Sequence, residues 1–515
     1  MAQKKIGIFF IIAVFCIPAE LLSQPFSSYK DVVNYKHLLD SSLSSPPWKR
    51  TLIKDFEKDN GQPLFLKRIL HDALLKHHTS LYDFEVNPDI LFAAASENQN
   101  NTNYFVSGGG ANIRYQHKQS FIFRGRVVGF RQTGLITDSV RTTNNLLQDV
   151  LYSQATPDGY KVLDLRINAV YRPSQFFRIN FGVDNQFAGD GYHSVIQGDQ
   201  SPPHPFGRLS TSFWKIDYTV GYHFLKDVAW PDLSETYRKY MTTHQLNFRL
   251  HPKFHVYAWE AVVWQQEDTL TQRGYDLSYL NPVIFFRPVE FQLGAPSPDN
   301  VLLGLGFRWQ PFKWMRIYGQ VMFDEFYLEE ISARDGWWAN KYALQLGANA
   351  AFYPGAHYLH LRAEFNMARP FTYSHIGSMQ NYGSRFTPMA HPLGANFGEI
   401  LTTLRWQWKR LGAMARIAYA QVGQDTHINY GQNIYRSYTT RDTEYGHKWL
   451  QGNLKSGVSA DFRFMYTINP KMGLKLALGA RKMTHYELNR DDLSEIYLRL
   501  STFLPTGMKQ LYRTK

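Results

Sequence analysis

The chain has 515 residues, a formal net charge of +13, 16% aromatic residues and a single cysteine, with a mean hydropathy of −0.37. Beyond its first residues no apolar run approaches the length of a membrane-spanning helix, which excludes helical spans, and one cysteine excludes a disulfide framework. The basic charge comes without a recognition helix, zinc spacing or RNA-binding signature, so nucleic acid is excluded and an anionic lipid or glycan surface is the better match.

Lys4 and Lys5 precede an apolar run from Ile6 to Ile17, and Leu21-Leu22-Ser23 offers a cleavage site before Gln24. That order predicts a signal peptide over 1–23 and export to the outer membrane. Cys16 leaves with it. Residues 24–80 do not alternate. Leu66, Ile69, Leu70, Ala73 and Leu74 follow helical spacing after Pro63, with shorter apolar runs around Leu52 and Val32, and predict a small helical periplasmic region or partial plug.

From residue 81 to about 505 apolar residues recur at every second position. Leu163, Leu165, Ile167, Ala169 and Tyr171 face away from Asp164, Arg166 and Asn168; Phe177, Ile179, Phe181 and Val183 oppose Arg178, Asn180 and Asp184. A strand sends successive side chains to opposite faces. Segments of ten or more residues with one apolar face fit a tilted crossing of a bilayer. The expected fold is all-β: a transmembrane antiparallel up-and-down β-barrel of about 18 strands, running from 81–95 to 494–504 and including 209–225 and 276–287, followed by a short basic tail over 506–515. Short turns such as Arg172-Pro173-Ser174, Gln310-Pro311-Phe312 and Asn469-Pro470-Lys471 belong at the periplasmic end. Longer connectors near 133–159, 189–208, 226–240, 326–338, 369–397 and 423–450 belong outside.

Placing the polar face inward gives a basic wall from Arg178, Lys215, Arg249, Arg316, Lys341, Arg362, Arg405, Lys455, Arg463, Lys475, Arg481 and Arg499. Its acids are Asp164, Asp184, Asp217, Asp324, Glu364, Asp461 and Glu495. Either these charges pair and stiffen a closed barrel, or they bias a lumen towards anions. No HExxH, CxxC, GxSxG or P-loop spacing occurs, and no cofactor or metal is expected. His391 with Glu399, or Asp324 with His375, are the acid–base pairs an enzyme could use, but no serine stands out as nucleophile and a non-enzymatic protein is expected.

Several segments are more particular than generic strands: Phe187-Ala188-Gly189-Asp190-Gly191-Tyr192-His193-Ser194, Tyr279-Leu280-Asn281-Pro282 running on to Arg287-Pro288-Val289-Glu290, Pro298-Asp299-Asn300, Phe323-Asp324-Glu325-Phe326, and Ala390-His391-Pro392-Leu393-Gly394-Ala395-Asn396-Phe397. Together they resemble the gliding-motility RemB group of Bacteroidota, which is similar to the Wzi capsule-assembly family. The resemblance spans about 160–410. It implies an eighteen-stranded outer-membrane barrel with a helical periplasmic part, acting in gliding motility or in the attachment and assembly of surface capsular polysaccharide. His193 stands where that pattern leads one to expect arginine, and the tail beyond Leu504 departs from a barrel that ends on an aromatic strand residue.

The resulting candidate binding residues are Asp190, Tyr192, Arg287, Glu290, Asp299, Asn300, Asp324, Glu325, His391 and Asn396, polar groups in or beside Gly- and Pro-rich turns. Such groups can present hydrogen bonds to a sugar beside an aromatic face, or anchor loops through buried contacts. The expected partners are outer-membrane lipid and lipopolysaccharide, surface polysaccharide and gliding-machinery proteins. The alternatives are a porin-like channel for small anions and, less favoured, an outer-membrane hydrolase.

Overall fold

The computed structural model describes residues 73–97, 102–134, 152–228, 236–267, 274–282, 299–325, 327–484 and 493–502. The expected signal segment, most of the expected helical region and the basic tail lie outside these residues. In chain order the strands are β1 (Leu75–His78), β2 (Tyr82–Glu97), β3 (Thr102–His117), β4 (Phe121–Thr133), β5 (Tyr152–Thr156), β6 (Gly159–Tyr171), β7 (Phe177–Asp184), β8 (His204–Phe213), β9 (Ile216–Val228), β10 (Thr236–His251) and β11 (Phe254–Gln265). They continue with β12 (Asn300–Phe312), β13 (Met315–Glu325), β14 (Lys341–Phe352), β15 (His357–Ala368), β16 (Gly383–Ser384), β17 (Thr387–Pro388), β18 (Phe397–Trp408), β19 (Leu411–Gln424), β20 (Asn453–Asn469), β21 (Leu474–Met483) and β22 (Leu493–Ser501). Eighteen of them close into one antiparallel barrel, each paired with the next wall strand in sequence. Strand β22 returns to β2 with Ala94 opposite Leu498.

The strands form because their two faces meet two solvents. Phe92, Leu305, Leu346, Ile400, Phe464 and Ile496 are exposed on the outside, an apolar surface far larger than a water-soluble monomer tolerates. Around the short turns the outward residues become aromatic. Phe312 stacks on Trp314 at 5.2 Å, Trp314 on Phe352 at 5.2 Å, and Trp214 meets Phe248 at 6.2 Å. That is the girdle of a barrel at a membrane interface. Short turns gather at one end and long connectors at the other, as the sequence pattern leads one to expect, with the turn after β12 falling at Lys313 and Trp314 because Gln310, Pro311 and Phe312 still belong to the strand.

Three sequence expectations need correction. The segment 209–225 is not one strand: β8 and β9 are joined by a tight turn at Trp214 and Lys215, with Trp214 at φ +53°. Asn or Gly normally marks such a turn; here the tryptophan joins the girdle instead, and Lys215 lies at the turn, not in the lumen. The segment 276–287 gives no strand among its described residues, since Leu277–Leu280 is a 3-10 turn whose start is capped by Asp276 accepting from the Ser278 amide. One merged hairpin and one surplus strand offset each other, so the expected tally of eighteen agrees with the barrel. Finally, Leu75–His78 is strand, not the end of a helix. Strand β22 covers β2 only along Leu91–Glu97, and β1 pairs with the uncovered stretch of that edge, Asp83 to Val86.

Three cross-strand pairs share one design. Tyr257 lies opposite Gly306, Tyr318 opposite Gly347, and Tyr497 opposite Gly479. A Cβ on each glycine would meet the facing ring at 2.2 or 2.3 Å, so each ring occupies the space a side chain would fill. The hydroxyls then reach lumen partners: Tyr257 accepts from Gln320 at 2.8 Å, Tyr318 donates to Glu364 at 2.8 Å, and Tyr497 donates to Asp461 at 3.1 Å.

Candidate functional site

The lumen is occupied by the protein's own connectors. Four neighbouring wall strands present one polar row, because register sets Gln320 beside Gln345, Gln345 beside Asn366, and Asn366 beside Glu399. The 185–203 connector docks on this row mainly through its backbone. Gln320 donates to the Ala188 carbonyl at 3.0 Å and accepts from Ser194 Oγ at 3.0 Å and the Val195 amide at 3.1 Å. Gln345 donates to the His193 carbonyl at 2.9 Å. Glu364 accepts from the Tyr192 and His193 amides at 2.7 and 3.0 Å. Buried backbone groups must find partners, and here strand side chains supply them.

Two enclosed lysines hold the 369–396 connector. Lys239 donates to Asp227 at 3.1 Å and to the Asn381 carbonyl and side-chain oxygen at 2.6 and 2.8 Å. Lys341 pairs with Asp324 at 3.1 Å and donates to the Ser374 carbonyl at 3.1 Å. Outside the spanning strands, burial pushes the Tyr373, Tyr382 and Tyr435 phenols well above their ordinary range. All three remain neutral, and the Tyr373 and Tyr435 hydroxyls donate to the Val195 carbonyl at 2.6 Å and to Asp227 at 3.1 Å.

The candidate residues that fall among the described ones are mostly enclosed and hold loops. Asp190 pairs with Arg308 at 2.7 Å and lies 3.8 Å from Arg316. Tyr192 accepts a hydrogen bond from Arg416, which also lies over its ring. Asp299 accepts from the Tyr279 hydroxyl at 2.6 Å, and Asn300 donates to the Gln380 carbonyl at 3.0 Å. Asp324 accepts from the Tyr373 amide at 2.7 Å, and the partly exposed Glu325 lies 3.2 Å from Lys341. Asn396, at φ +53°, donates to the Gly423 and Gln451 carbonyls at 2.7 and 2.9 Å. His391 donates to Glu399 at 2.8 Å, so that pairing in the sequence is also a pairing in space, in an enclosed setting. Asp324 engages Lys341 and Tyr373. Arg287 and Glu290 lie outside the described residues.

The wall charges also pair. Asp164 meets Arg126 and Arg166, Asp217 meets Arg249, Asp461 meets Arg416 and Arg463, and Glu495 meets Arg481. At these positions the charges make the pairs that the stiffening reading calls for.

The rim carries a surface that the sequence reading missed. Residues 327–340 and 425–452 meet there, with the Trp338 amide donating to the Glu444 carbonyl at 3.0 Å and the His447 amide to the Gly336 carbonyl at 2.9 Å. Arg441 lies 3.9 Å over the Trp338 ring, and Trp337 bridges towards Tyr327 at 6.4 Å. Tyr327 and Tyr445 are exposed and Trp337 half-buried. Glu330 beside Tyr445 raises that phenol above its ordinary value. The Trp337-Trp338 pair inside a polar connector is the signal that could have revealed this surface.

No family model and no curated protein sequence matches the chain. Among solved structures it is similar to Wzi of Escherichia coli, described as an outer-membrane protein involved in group 1 capsule assembly and a carbohydrate-binding β-barrel, at 11% identity and a TM-score of 0.51, covering 80% of this chain and 83% of that one. OprD of Pseudomonas aeruginosa follows at 12% identity and a TM-score of 0.41, covering 84% and 98%, and OpdK of the same organism at 11% and 0.42, covering 81% and 98%. The chain has the large antiparallel barrel fold seen in Wzi.

Proposed function

We propose that this protein is a non-enzymatic outer-membrane barrel that holds surface polysaccharide at the cell exterior, with the rim of 327–340 and 425–452 as the docking surface. The observation that carries this reading is the filled lumen: Tyr373, Tyr382, Leu393 and Asn396 from one connector and Ile196 from another are completely enclosed. A barrel so plugged is a scaffold for its outer loops, and the long-connector end would face the exterior. Sugars are bound by aromatic faces beside planar donors and acceptors, and the rim offers Tyr327, Trp337 and Tyr445 with Arg441, Glu330 and Glu444. The likeness in fold to Wzi, a carbohydrate-binding barrel, supports the polysaccharide reading. A role in gliding would follow if the retained polymer is the adhesive on which cells move.

The test compares a clean deletion with cells complemented by wild-type or Trp337→Ala/Tyr445→Ala protein, scoring cell-bound polysaccharide and gliding in the same cultures. Polymer released into the medium by both the deletion and the rim variant, with heat-modifiable barrel migration intact, is the expected result. Normal retention with impaired gliding would make the barrel a motility component and overturn the polysaccharide assignment. Steady ionic conductance of wild-type protein in planar bilayers would favour the anion channel instead.

A further inference from the structure

One cluster inside the plug is not required for holding a glycan at the rim. His193 comes from the 185–203 connector, His391 from the 369–396 connector and Glu399 from β18. One donor atom from each lies within 4.8 Å of the others, and all three residues are buried. His391 Nε2 is 2.8 Å from Glu399 Oε2, and His193 Nε2 is 3.7 Å from Glu399 Oε1. The two imidazoles meet edge to face with centroids 4.5 Å apart. We propose that His193, His391 and Glu399 form a binding site for a divalent transition cation of the zinc class, which fastens both plug connectors to the barrel wall.

Two imidazole nitrogens and a carboxylate are a common zinc donor set, and they leave a fourth position for water. Ligand atoms around tetrahedral zinc lie about 3.3 Å apart; here one donor atom from each residue already lies within 4.8 Å of the others, and small side-chain rotations bring both imidazoles onto one Glu399 oxygen's side of a shared ion. The groups behind the donors are already fixed. The His391 ring stacks on Phe397 at 4.3 Å. Glu399 accepts from Asn366 at 2.9 Å. The His193 backbone is held by Glu364 and Gln345. Such outer contacts orient ligands and tune affinity.

Charge points the same way. Asn366 also donates to Glu364 at 2.9 Å, so two enclosed carboxylates share one network, and a dication offsets them. Without metal, His391 Nε2–H donates to Glu399 while Nδ1 faces the Leu393 amide at 3.3 Å. Loading moves the ring to its Nδ1–H tautomer and gives up that long contact. The proton changes nitrogen and is not lost.

The decisive experiment denatures the full-length barrel in chelator and refolds it into detergent with or without cobalt(II), which reports tetrahedral nitrogen and oxygen ligation through its visible absorption. One equivalent of cobalt, displaced by zinc, and slower proteolysis of the 369–396 connector are expected. His193→Gln and Glu399→Gln should each abolish uptake while keeping heat-modifiable migration, and Asn366→Ala, a positioning change, should weaken uptake about tenfold. Wild-type protein that refolds equally well and takes up no cobalt overturns the proposal, whatever the variants do. So does uptake that persists undiminished in a folded His193→Gln/Glu399→Gln protein. Neither result bears on glycan retention at the rim.

Discussion

Lys239 and Asp227, both completely enclosed, meet at 3.1 Å across the β9–β10 hairpin, and between them they hold two connectors. Lys239 donates to Asn381, while Asp227 accepts from the Phe386 amide at 2.9 Å and the Tyr435 hydroxyl at 3.1 Å. Removing one partner strands the other charge in a dry setting, at a cost of about 3–5 kcal/mol. Asp227→Ala is therefore expected to lower the urea midpoint sharply, and Lys239→Met with Asp227→Leu to recover much of the loss. Additive single and double changes would show that the two groups are not coupled.

The tyrosine–glycine pairs make a second prediction. A Cβ at Gly347 meets Tyr318 Cζ at 2.3 Å, whereas one at Gly129 has its nearest neighbour at 4.0 Å. Gly347→Ala must displace the Tyr318 ring and its bond to Glu364, at about 1–3 kcal/mol. Gly129→Ala is expected to be close to neutral. Equal unfolding midpoints for the two variants would remove the ring's supporting role.

Acid should loosen the plug through His375, which lies in the 369–396 connector outside the spanning strands. Burial, helped by the Lys341 charge, lowers its pKa from 6.5 to about 4, with Glu325 opposing and Lys239 adding to the shift. The unfolded connector then binds a proton that the docked one does not. Stability is whole above about pH 6.5 and falls as pH drops towards 4, by about 3 kcal/mol at the limit. Limited proteolysis of 369–396 should accelerate over that window in wild-type protein. The acceleration should be much smaller in His375→Gln; an unchanged acid response in that variant assigns the effect to other groups.

The barrel was legible because period-two alternation is imposed by lipid on one side and a polar interior on the other, strand by strand. Glu364 and Asp461 could be placed on the inner face from their neighbours alone. Where a turn broke the usual chemistry, as at Trp214, the reading ran two strands together. The interior contents were harder to foresee. Gln345 and His193 stand 152 positions apart, and nothing in either local pattern says that an amide on a strand will satisfy a connector's carbonyl. His391 and Glu399, eight positions apart, were within reach of inspection. The Asp190 and Asn396 segments were picked out as particular, and their particularity lies in how they are held by the wall and neighbouring connectors.

The seam between β2 and β22 sets an order of events. Its contacts join the two ends of the described chain: the Ile90 amide donates to Thr502 Oγ1 at 2.9 Å across 412 positions, and Thr502 donates to Asp89 at 3.0 Å. Until the last strand arrives, β2 is an open edge able to pair with any passing strand, and contacts of such long range form slowly. The connectors that fill the lumen belong to earlier hairpins. They can settle while the cylinder is still a curling sheet, so that the final strand closes a wall around contents already in place.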